Sequence, residues 1–432
     1  MRMIFRALAI WTVATFGLFV YGVAWLALLM RPGAEQRAAR RAHVKGVILR
    51  RSLSALGATF VKLGQVMSTR IDLFPMETIA ELRKLQDALP PFSFREVERT
   101  VREELGRPVT ELYAEFDQQP VAAASVAQVH RARLADGAEV AVKVLRPQVR
   151  ETVEKDAAVL VTLAKAVALH PGLRLSDPVG HVEELIQGIR DQTDLRREQT
   201  NYARFGENFR DEPRLVFPKV YPELSSARVM TMEFIHGSKV DALPEGDHSD
   251  LANLLSHMFL EMIFNHGFLH VDLHPGNFVV QADGRVAVFD VGLVKELTPE
   301  LLDEFVDWNR CLVMGTANDF VAHMKVYHTY VEGTVDWDAL VVDLERFVSS
   351  FRGLSKEEIQ VGELLDQAFA LGRKYKVHPK VEFALIMVGV LTSEGVGKIL
   401  DAKTDMLAEM SQYLLPLLMA RATKGMLHAQ AQ

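Results

Sequence analysis

The sequence predicts an α+β protein of two lobes, preceded by a helical extension and an amino-terminal transmembrane helix. Three observations support this fold class: an uncharged apolar run near the start, two short hairpin patterns, and helical patterns over most of the remaining chain. At 49% hydrophobic, the 432 residues can form a sizeable core. The predicted domains are an anchor at 1–30, a basic juxtamembrane segment at 31–51, the helical extension at 52–120, an amino-terminal lobe at 121–236 and a helical carboxy-terminal lobe at 237–432.

Cysteine content and charge exclude several classes of protein. Cys311 has no second cysteine to pair with, so the sequence excludes a disulfide framework and leaves oxygen and imidazole ligands for any metal. The formal net charge is −7, yet residues 1–51 carry nine Lys/Arg against one acid. The remaining chain is therefore strongly acidic, and we expect no nucleic-acid partner, because a body that tracks phosphates needs basic surface.

The apolar run predicts a membrane anchor. From Ala7 to Met30 no residue is charged, and these 24 positions as a helix span about 36 Å. A cleavable signal peptide is the alternative, but the run is longer than a usual signal-peptide core. Seven basic residues follow the run and two precede it, so the positive-inside rule predicts a single-pass protein with its body on the cytoplasmic, ATP-containing side.

The basic residues after the run form a candidate lipid-binding segment. Beside a membrane, each would attract anionic lipid head groups by about 1 kcal/mol. A solvated helix face is the alternative, and the two interpretations are compatible. The residues are Arg31, Arg37, Arg40, Arg41, Lys45, Arg50 and Arg51.

The first hairpin presents a lysine on one face of a strand. Asp136-Gly137 is a strong hairpin dipeptide, and the strand after it alternates Val-Ala-Val-Lys. Alternation places Lys143 on the face opposite Val142 and Val144. A helical pattern from about residue 181 to 209 then places Asp194, Glu198 and Asn201 on one side, at steps of four and three.

A second segment holds the parts of a phosphoryl-transfer site. Asp272 is followed five positions later by Asn277 and then by Asp290, which precedes Val291-Gly292 after a short hairpin. The first acid can orient a hydroxyl or a water, and the other two can hold Mg2+, which prefers hard oxygen ligands. Each acid alone could equally be a helix cap or a solvated loop residue. His270 and His274 are alternative metal ligands, although such histidines more often brace a loop.

Four further features make this a protein-kinase-like fold. Lys143 supplies a fixed ammonium for the α and β phosphates, and Glu198 can pair with it. The small-residue loop Ala122-Ala123-Ala124-Ser125 stands where a glycine-rich loop would cover phosphates. Glu233 ends a strand at the expected linker, whose backbone would contact adenine. The expected cofactors are therefore ATP or ADP together with Mg2+.

These motifs resemble the UbiB family of atypical kinase-like proteins, several of which support coenzyme Q (ubiquinone) biosynthesis. The resemblance runs from about Ser52 to about Asp401. The segments that carry it are Lys62-Leu-Gly-Gln65, the Ala122–Ser125 loop leading into Val126-Ala-Gln-Val-His130, Val140-Ala-Val-Lys143, and His270-Val-Asp-Leu-His-Pro-Gly-Asn277.

The resemblance implies that the amino-terminal helices fold over the active site. In the family, the lysine of the Lys-x-Gly-Gln segment meets a Glu-x-Asp motif inside the pocket and hinders protein substrates. Here that motif is Gln192-Thr193-Asp194, so Lys62, with Gln65 on the same helix face, would pair with Asp194 or form a looser gate. A second departure is Val291, where the family usually has phenylalanine. The clear span is also amino-terminal, whereas familiar members have carboxy-terminal membrane segments.

Three functional hypotheses remain open from the sequence. The leading one is a membrane-anchored atypical kinase or ATPase that acts on a lipid-like small molecule, or couples ATP hydrolysis to a membrane complex, in ubiquinone synthesis. The others are a nucleotide-dependent pseudokinase scaffold and a small-molecule phosphotransferase of the aminoglycoside or choline kinase kind. The expected partners are a nucleotide, anionic membrane lipids and quinone-biosynthesis enzymes.

Overall fold

The computed structural model describes residues 2–29, 34–68, 70–71, 73–85, 90–124, 126–169, 178–352, 360–401 and 406–430. Ser125, a predicted site residue, lies outside them. The helices are α1 Arg2–Leu29, α2 Ala34–Leu56, α3 Ala58–Met67, α4 Met76–Leu82, α5 Phe94–Leu105, α6 Val109–Leu112, α7 Val149–Ala168, α8 Pro178–Asp191, α9 Leu195–Asn208, α10 Ser249–Phe264, α11 Pro299–Met314, α12 Ala317–Tyr327, α13 Trp337–Phe351, α14 Val361–Tyr375, α15 Val381–Leu400 and α16 Met406–Gln430. The strands are β1 Glu115–Phe116, β2 Ala122–Ala123, β3 Ala127–Arg133, β4 Glu139–Leu145, β5 Leu215–Val216, β6 Val229–Glu233, β7 Ser238–Lys239, β8 Phe268–His270, β9 Phe278–Val280, β10 Val286–Val288 and β11 Val294–Glu296.

The chain divides into two compact units. The first comprises Met1–Thr69, Met76–Gly237 and Val279–Leu293, and the second comprises Arg70–Pro75, Ser238–Phe278 and Val294–Gln432. The segment Val279–Leu293, which carries Asp290, thus groups with the first unit, although the sequence-based boundaries place it in the carboxy-terminal lobe.

The sheet of the first unit is antiparallel, in the order β1-β3-β4-β6, and β2 pairs with β3. The predicted hairpin joins β3 to β4, with Gly137 in the left-handed region at φ 91°. Val140, Val142 and Val144 are fully buried, whereas the side chain of Lys143 is 14% exposed. The strand therefore presents its lysine on the face away from the valine core, as its alternation predicts.

Helix α5 covers the valine face of this sheet. It begins with a capping box between Ser93 and Glu96, and it ends at Gly106, which is left-handed at φ 73°. Val97 and Val101, four apart on one helix face, are fully buried in the same cluster as the β4 valines. This packing fixes the strand that carries Lys143.

The predicted helix over residues 181–209 is wrong in one respect, because the chain breaks it into α8 and α9. Asp194 is the N-cap of α9, and its carboxylate accepts a hydrogen bond of 3.2 Å from the backbone N–H of Arg196. An aspartate side chain that satisfies free N–H groups favours a helix start over a helix interior. Glu198 and Asn201 remain on one face of α9.

Helix α1 packs along α2, and Gly17 allows the close approach, since an added Cβ would lie 3.2 Å from Ser52 Oγ. Leu8–Leu26 is long and apolar enough to cross a membrane by length and composition, and 12% of it is buried. Seven apolar side chains are each more than half exposed: Leu8, Trp11, Phe16, Leu18, Phe19, Val23 and Leu26.

The second unit is mainly helical after Thr298, as the sequence predicts. Helix α10 packs against α15, and the ring of Phe259 would lie 2.9 Å from a Cβ at Gly389. Helix α15 is also long and apolar enough to span a membrane, but 67% of it is buried in the protein, which is typical of a core helix.

Candidate functional site

Three charged side chains of the first unit form a cluster. The ammonium of Lys143 lies 2.8 Å from each carboxylate oxygen of Glu198 and 3.3 Å from Oδ1 of Asp290. Glu198 is buried on α9, and Lys143 projects from β4. The ion pair expected between Lys143 and Glu198 is therefore present, and Asp290 lies beside it.

Lys143 and the two carboxylates of this cluster stabilise each other's charged forms, whereas Glu198 and Asp290 repel each other. Burial alone would lower the pKa of Lys143, but the negative charges of Asp290 and Glu198 outweigh burial and raise the pKa above its ordinary value. Burial and the negative charge of Asp290 raise the pKa of Glu198, and the positive charges of Lys143 and Lys62 oppose this shift. Lys143 therefore stays an ammonium, as a phosphate-binding group requires, and the charge of Lys62 acts on the same cluster.

Helix α9 also holds the backbone around Asp290. The backbone N–H of Asp290 donates a 3.0 Å hydrogen bond to the hydroxyl of Tyr202, and Asn201 Nδ2 donates to the carbonyl of Val291 at 2.8 Å. Asp290 has φ 51°, a left-handed conformation that is strained for a residue with a side chain. Val291 is fully buried, so the position that usually holds phenylalanine is a core position here.

Sequence reasoning did not identify Tyr202. The available signal was its spacing, because Glu198, Asn201 and Tyr202 stand at i, i+3 and i+4 and so share one helix face.

The small-residue segment, expected to be a loop, begins as strand β2 (Ala122–Ala123), which pairs with β3, and hydrogen bonds hold the residue that follows. Ala124 N–H donates to the carbonyl of Ala127 at 2.7 Å, and Arg146 Nε donates to the carbonyl of Ala124 at 2.9 Å. Ala122 is exposed and Ala123 is half-buried. Arg146, which was not predicted from the sequence, directly follows β4. It holds the end of the loop next to the strand that carries Lys143.

Two backbone N–H groups at the end of β6 and the start of the linker already donate hydrogen bonds within the first unit. The N–H of Glu233 donates to Lys219 O at 2.8 Å, and that of Phe234 donates to Glu139 O at 3.1 Å. Adenine recognition at this strand end would therefore need carbonyl oxygens or later N–H groups. Gly237 follows, where an added Cβ would lie only 2.4 Å from Val280 O, so only glycine fits.

The second unit carries the predicted catalytic loop. Asn277 Nδ2 donates to the carbonyl of Asp272 at 2.8 Å, which leaves the amide oxygen of Asn277 free of this contact for a cation. Nδ1 of His270 accepts from the Asp272 N–H at 3.2 Å, and Nδ1 of His274 accepts from Gly276 N–H at 3.1 Å. Both histidines brace the loop backbone, which favours that role over metal binding.

Comparison with known proteins identifies the family. A family model described as the ABC1 atypical kinase-like domain matches residues 84–342, and one described as the UbiB helical domain matches residues 344–405. The chain belongs to the UbiB family of atypical kinase-like proteins. The resemblance carried by the sequence motifs and the kinase-like fold class are thereby confirmed.

Individual UbiB proteins match most of the chain. The probable protein kinase UbiB of Cellvibrio japonicus (strain Ueda107) is 34% identical over 384 residues, covering 86% of this chain and 69% of that protein. The probable protein kinase UbiB of Pseudomonas fluorescens (strain Pf0-1) is 32% identical over 381 residues, covering 84% and 70%. Rv3197 of Mycobacterium tuberculosis, solved with erythromycin, has TM-score 0.48 and 25% identity, covering 74% of this chain and 92% of that one.

The UbiB lysine segment lies on α3, which packs against α8. Gln65 Nε2 donates to Leu85 O at 3.2 Å. A side chain at Gly64 would have to displace two leucine side chains, since an added Cβ would lie 2.2 Å from Leu85 Cδ1 and 2.8 Å from Leu53 Cδ1. The glycine of this segment therefore allows α3 to pack closely in the extension.

Of the two alternatives for Lys62, the pairing with Asp194 is not present among the described residues. Asp194 forms ion pairs with Arg196 at 2.6 Å and with Arg150 at 3.4 Å, besides capping α9. Gln192 is half-buried, and its Oε1 has no hydrogen-bond partner within the described residues. The charge of Lys62 instead acts on Glu198.

Proposed function

We propose that this UbiB-family protein is a membrane-associated atypical kinase or ATPase that binds MgATP and supports ubiquinone biosynthesis. The observation that carries the proposal is the buried Lys143–Glu198 ion pair with Asp290 beside it. A kinase site needs a lysine fixed by a glutamate and a metal-binding aspartate. The names of the relatives, which are probable protein kinases UbiB, support the same class of activity.

Each predicted residue has a role in this proposal. Lys143 binds the α and β phosphates, and Glu198 holds Lys143 in position. Asp290 in the first unit and the amide oxygen of Asn277 in the second unit are each a hard oxygen donor of the kind that Mg2+ prefers, and Mg2+ would supply positive charge to the phosphates. Asp272 orients the attacking hydroxyl or water. Among the residues that the structure describes, the Asp272 carboxylate has no hydrogen-bond partner that would occupy it.

Helix α1 would provide the membrane contact. Its exposed apolar side chains are unfavourable in water and suit a bilayer, with the basic residues of α2 following directly. In the proposal α1 separates from α2 to cross the bilayer once, and the remainder is cytoplasmic. Protease digestion of sealed inverted membrane vesicles tests this arrangement: digestion should leave a short amino-terminal fragment protected. Complete release of the protein by alkaline carbonate would contradict a spanning helix.

The function is tested by genetic complementation with a chemical readout. A bacterial strain that lacks its own UbiB should recover ubiquinone, quantified by chromatography, when it expresses the wild-type chain. Asp272→Asn and Lys143→Met should not restore ubiquinone at equal protein level, because each removes a group required for phosphoryl transfer. Full restoration by Asp272→Asn would favour the scaffold, and failure of the wild-type chain would contradict the proposed pathway.

A further inference from the structure

A second cluster of ligand-type side chains lies wholly within the second unit. Glu304 of α11, His323 of α12 and His328, which follows α12, each place one ligand atom within 4.8 Å of those of the other two. Glu304 is fully buried, and His323 is 2% exposed. None of these residues belongs to the proposed kinase machinery.

Four polar atoms of this cluster lack hydrogen-bond partners among the described residues. Both carboxylate oxygens of Glu304, Nε2 of His323 and Nδ1 of His328 are buried and have no hydrogen bond within the described part of the chain. Buried polar atoms are nearly always satisfied in native proteins, by protein, water or an ion. Four such atoms at one place indicate a bound group that accepts electron pairs from a carboxylate and two imidazoles.

A neighbouring lysine does not satisfy the carboxylate. Lys380 Nζ lies 3.9 Å from Glu304 Oε2, which is beyond hydrogen-bond distance, and the lysine side chain is 53% exposed. Its charge borders the cluster without filling it.

The histidine at the centre is oriented as a metal ligand. His323 Nδ1 lies 3.0 Å from Oδ2 of Asp307, which is itself held by Arg310 Nε at 2.9 Å. A carboxylate partner keeps the proton on Nδ1, so the lone pair is on Nε2, the atom without a partner. Carboxylate–histidine pairs of this kind commonly orient the imidazoles of metal sites.

Packing holds the other ligand in place. The N–H of His328 donates to Met324 O at 2.9 Å, and the next residue, Thr329, exchanges backbone hydrogen bonds with His378. The ring of Phe383 packs 6.3 Å from the ring of His323 and 6.2 Å from that of His328. The backbone of His328 is therefore held in place, and both imidazoles pack against the same phenylalanine ring.

We propose that Glu304, His323 and His328 bind a divalent first-row transition metal ion, with Zn2+ as the representative, separate from the proposed Mg2+ of the nucleotide. Two imidazoles and a carboxylate are a ligand set of such ions, at metal–ligand distances of about 2.0–2.2 Å. The ion joins α11 to α12 and the segment after it, so its role is to stabilise the helical unit.

A neighbouring trio, Asp307, Cys311 and His323, is a weaker candidate for the ion. His323 Nδ1 and Asp307 already bond to each other, and the Cys311 sulfur lies 3.4 Å from a guanidinium nitrogen of Arg310. Replacing Cys311 therefore serves as a matched control.

Metal binding is measured on the full-length protein in detergent after chelator treatment, using Co2+ absorbance and Zn2+ competition against a chromogenic chelator. The wild-type protein should bind one ion, and bound Co2+ should show the visible absorbance bands of an ion with imidazole ligands. Glu304→Gln and His328→Asn should weaken binding by at least tenfold, whereas Cys311→Ala and Asp290→Ala should not change it. Lys380→Met should tighten binding, because it removes a positive charge beside the ion.

Thermal unfolding separates metal binding from a folding defect. Zn2+ should raise the Tm of the wild-type protein and leave that of Glu304→Gln unchanged. Without metal, Glu304→Gln should unfold at the same temperature as wild type or higher, because it removes a buried carboxyl group without a partner. Absence of a stoichiometric ion in the wild-type protein, or wild-type metal affinity in both Glu304→Gln and His328→Asn, would overturn the proposal.

Discussion

The hydroxyl of Tyr202 accepts a hydrogen bond of 3.0 Å from the backbone N–H of Asp290. Asp290 is left-handed at φ 51°, a conformation that costs about 1 kcal/mol or more for a residue with a side chain. Helix α9 therefore holds both the strained aspartate, through Asn201 and Tyr202, and Lys143, through Glu198. One helix face thus positions both the lysine that we propose to bind phosphate and the aspartate that we propose to bind the metal.

Tyr202→Phe should loosen the Asp290 backbone without changing the charges of the cluster. Loss of the hydrogen bond costs about 1 kcal/mol, so we expect the Mg2+ concentration for half-maximal ATP turnover to rise about fivefold. Turnover at saturating Mg2+ should fall much less. Tyr221→Phe, at a tyrosine outside this contact, is the matched control. An unchanged Mg2+ dependence in Tyr202→Phe would show that the contact does not position Asp290.

Lys143→Met should destabilise the first unit as well as abolish turnover. It leaves Glu198 buried without its cation, and breaking a buried pair costs about 3–5 kcal/mol. Adding Glu198→Gln removes that uncompensated charge, so the double variant should recover most of the thermal stability but none of the activity. Equal Tm values for the single and double variants would mean that the pair does not stabilise the fold.

In the UbiB family the lysine of the Lys-x-Gly-Gln segment, here Lys62, gates the pocket, and this gate predicts effects on nucleotide binding. Lys62→Ala removes a positive charge that acts on Glu198, and Ala124→Gly loosens the small-residue loop. Each should change ATP or ADP affinity several-fold, or increase autophosphorylation, measured by fluorescent-nucleotide titration and phosphate incorporation. Lys155→Ala, at an exposed lysine of α7 paired to Glu151, is the control for loss of a charge. If Lys62→Ala and Ala124→Gly both leave nucleotide affinity and autophosphorylation unchanged, the family gate does not operate in this chain.

The burial of Tyr113 in the valine core predicts that the protein loses stability at alkaline pH. Burial raises the pKa of Tyr113 to about 12, although its hydrogen bond with Thr231 opposes the shift. Since the unfolded phenol ionises near pH 10, the stabilisation is complete below pH 10 and is lost as pH rises through about 12. The loss is at most about 3 kcal/mol. Tyr113→Phe should flatten the decline of Tm with pH over this range, and a decline as steep as in the wild type would contradict the assignment.

Local signals predicted the parts of the candidate site that follow from periodicity. Alternation in β4 placed Lys143, a hairpin dipeptide placed the turn before it, and spacing placed Glu198 and Asn201 on one face. The break before α9 was not predicted, because the helical pattern of the sequence continues across it. The side chain of Asp194 caps α9, and this local hydrogen bond favours a helix start over a continuous helix.

Contacts between distant segments could not be predicted in the same way. The pairing of Asp194 with Arg150 depends on how α7 and α9 pack, and no periodic pattern encodes it. Glu304 and His323 likewise stand 19 positions apart on two helices, so their meeting is a tertiary event. Arg146 follows β4 directly, but its bond to Ala124 depends on the conformation of the loop.

The central claim is that the Lys143–Glu198–Asp290 cluster supports Mg2+-dependent use of ATP. The most direct test is ATP hydrolysis by the full-length protein in liposomes containing anionic lipid, with and without a phenolic quinone-precursor analogue, beside Asp290→Ala. The account predicts Mg2+-dependent turnover by the wild-type protein that is lost in Asp290→Ala at unchanged folding. Equal turnover in the two proteins would contradict the account.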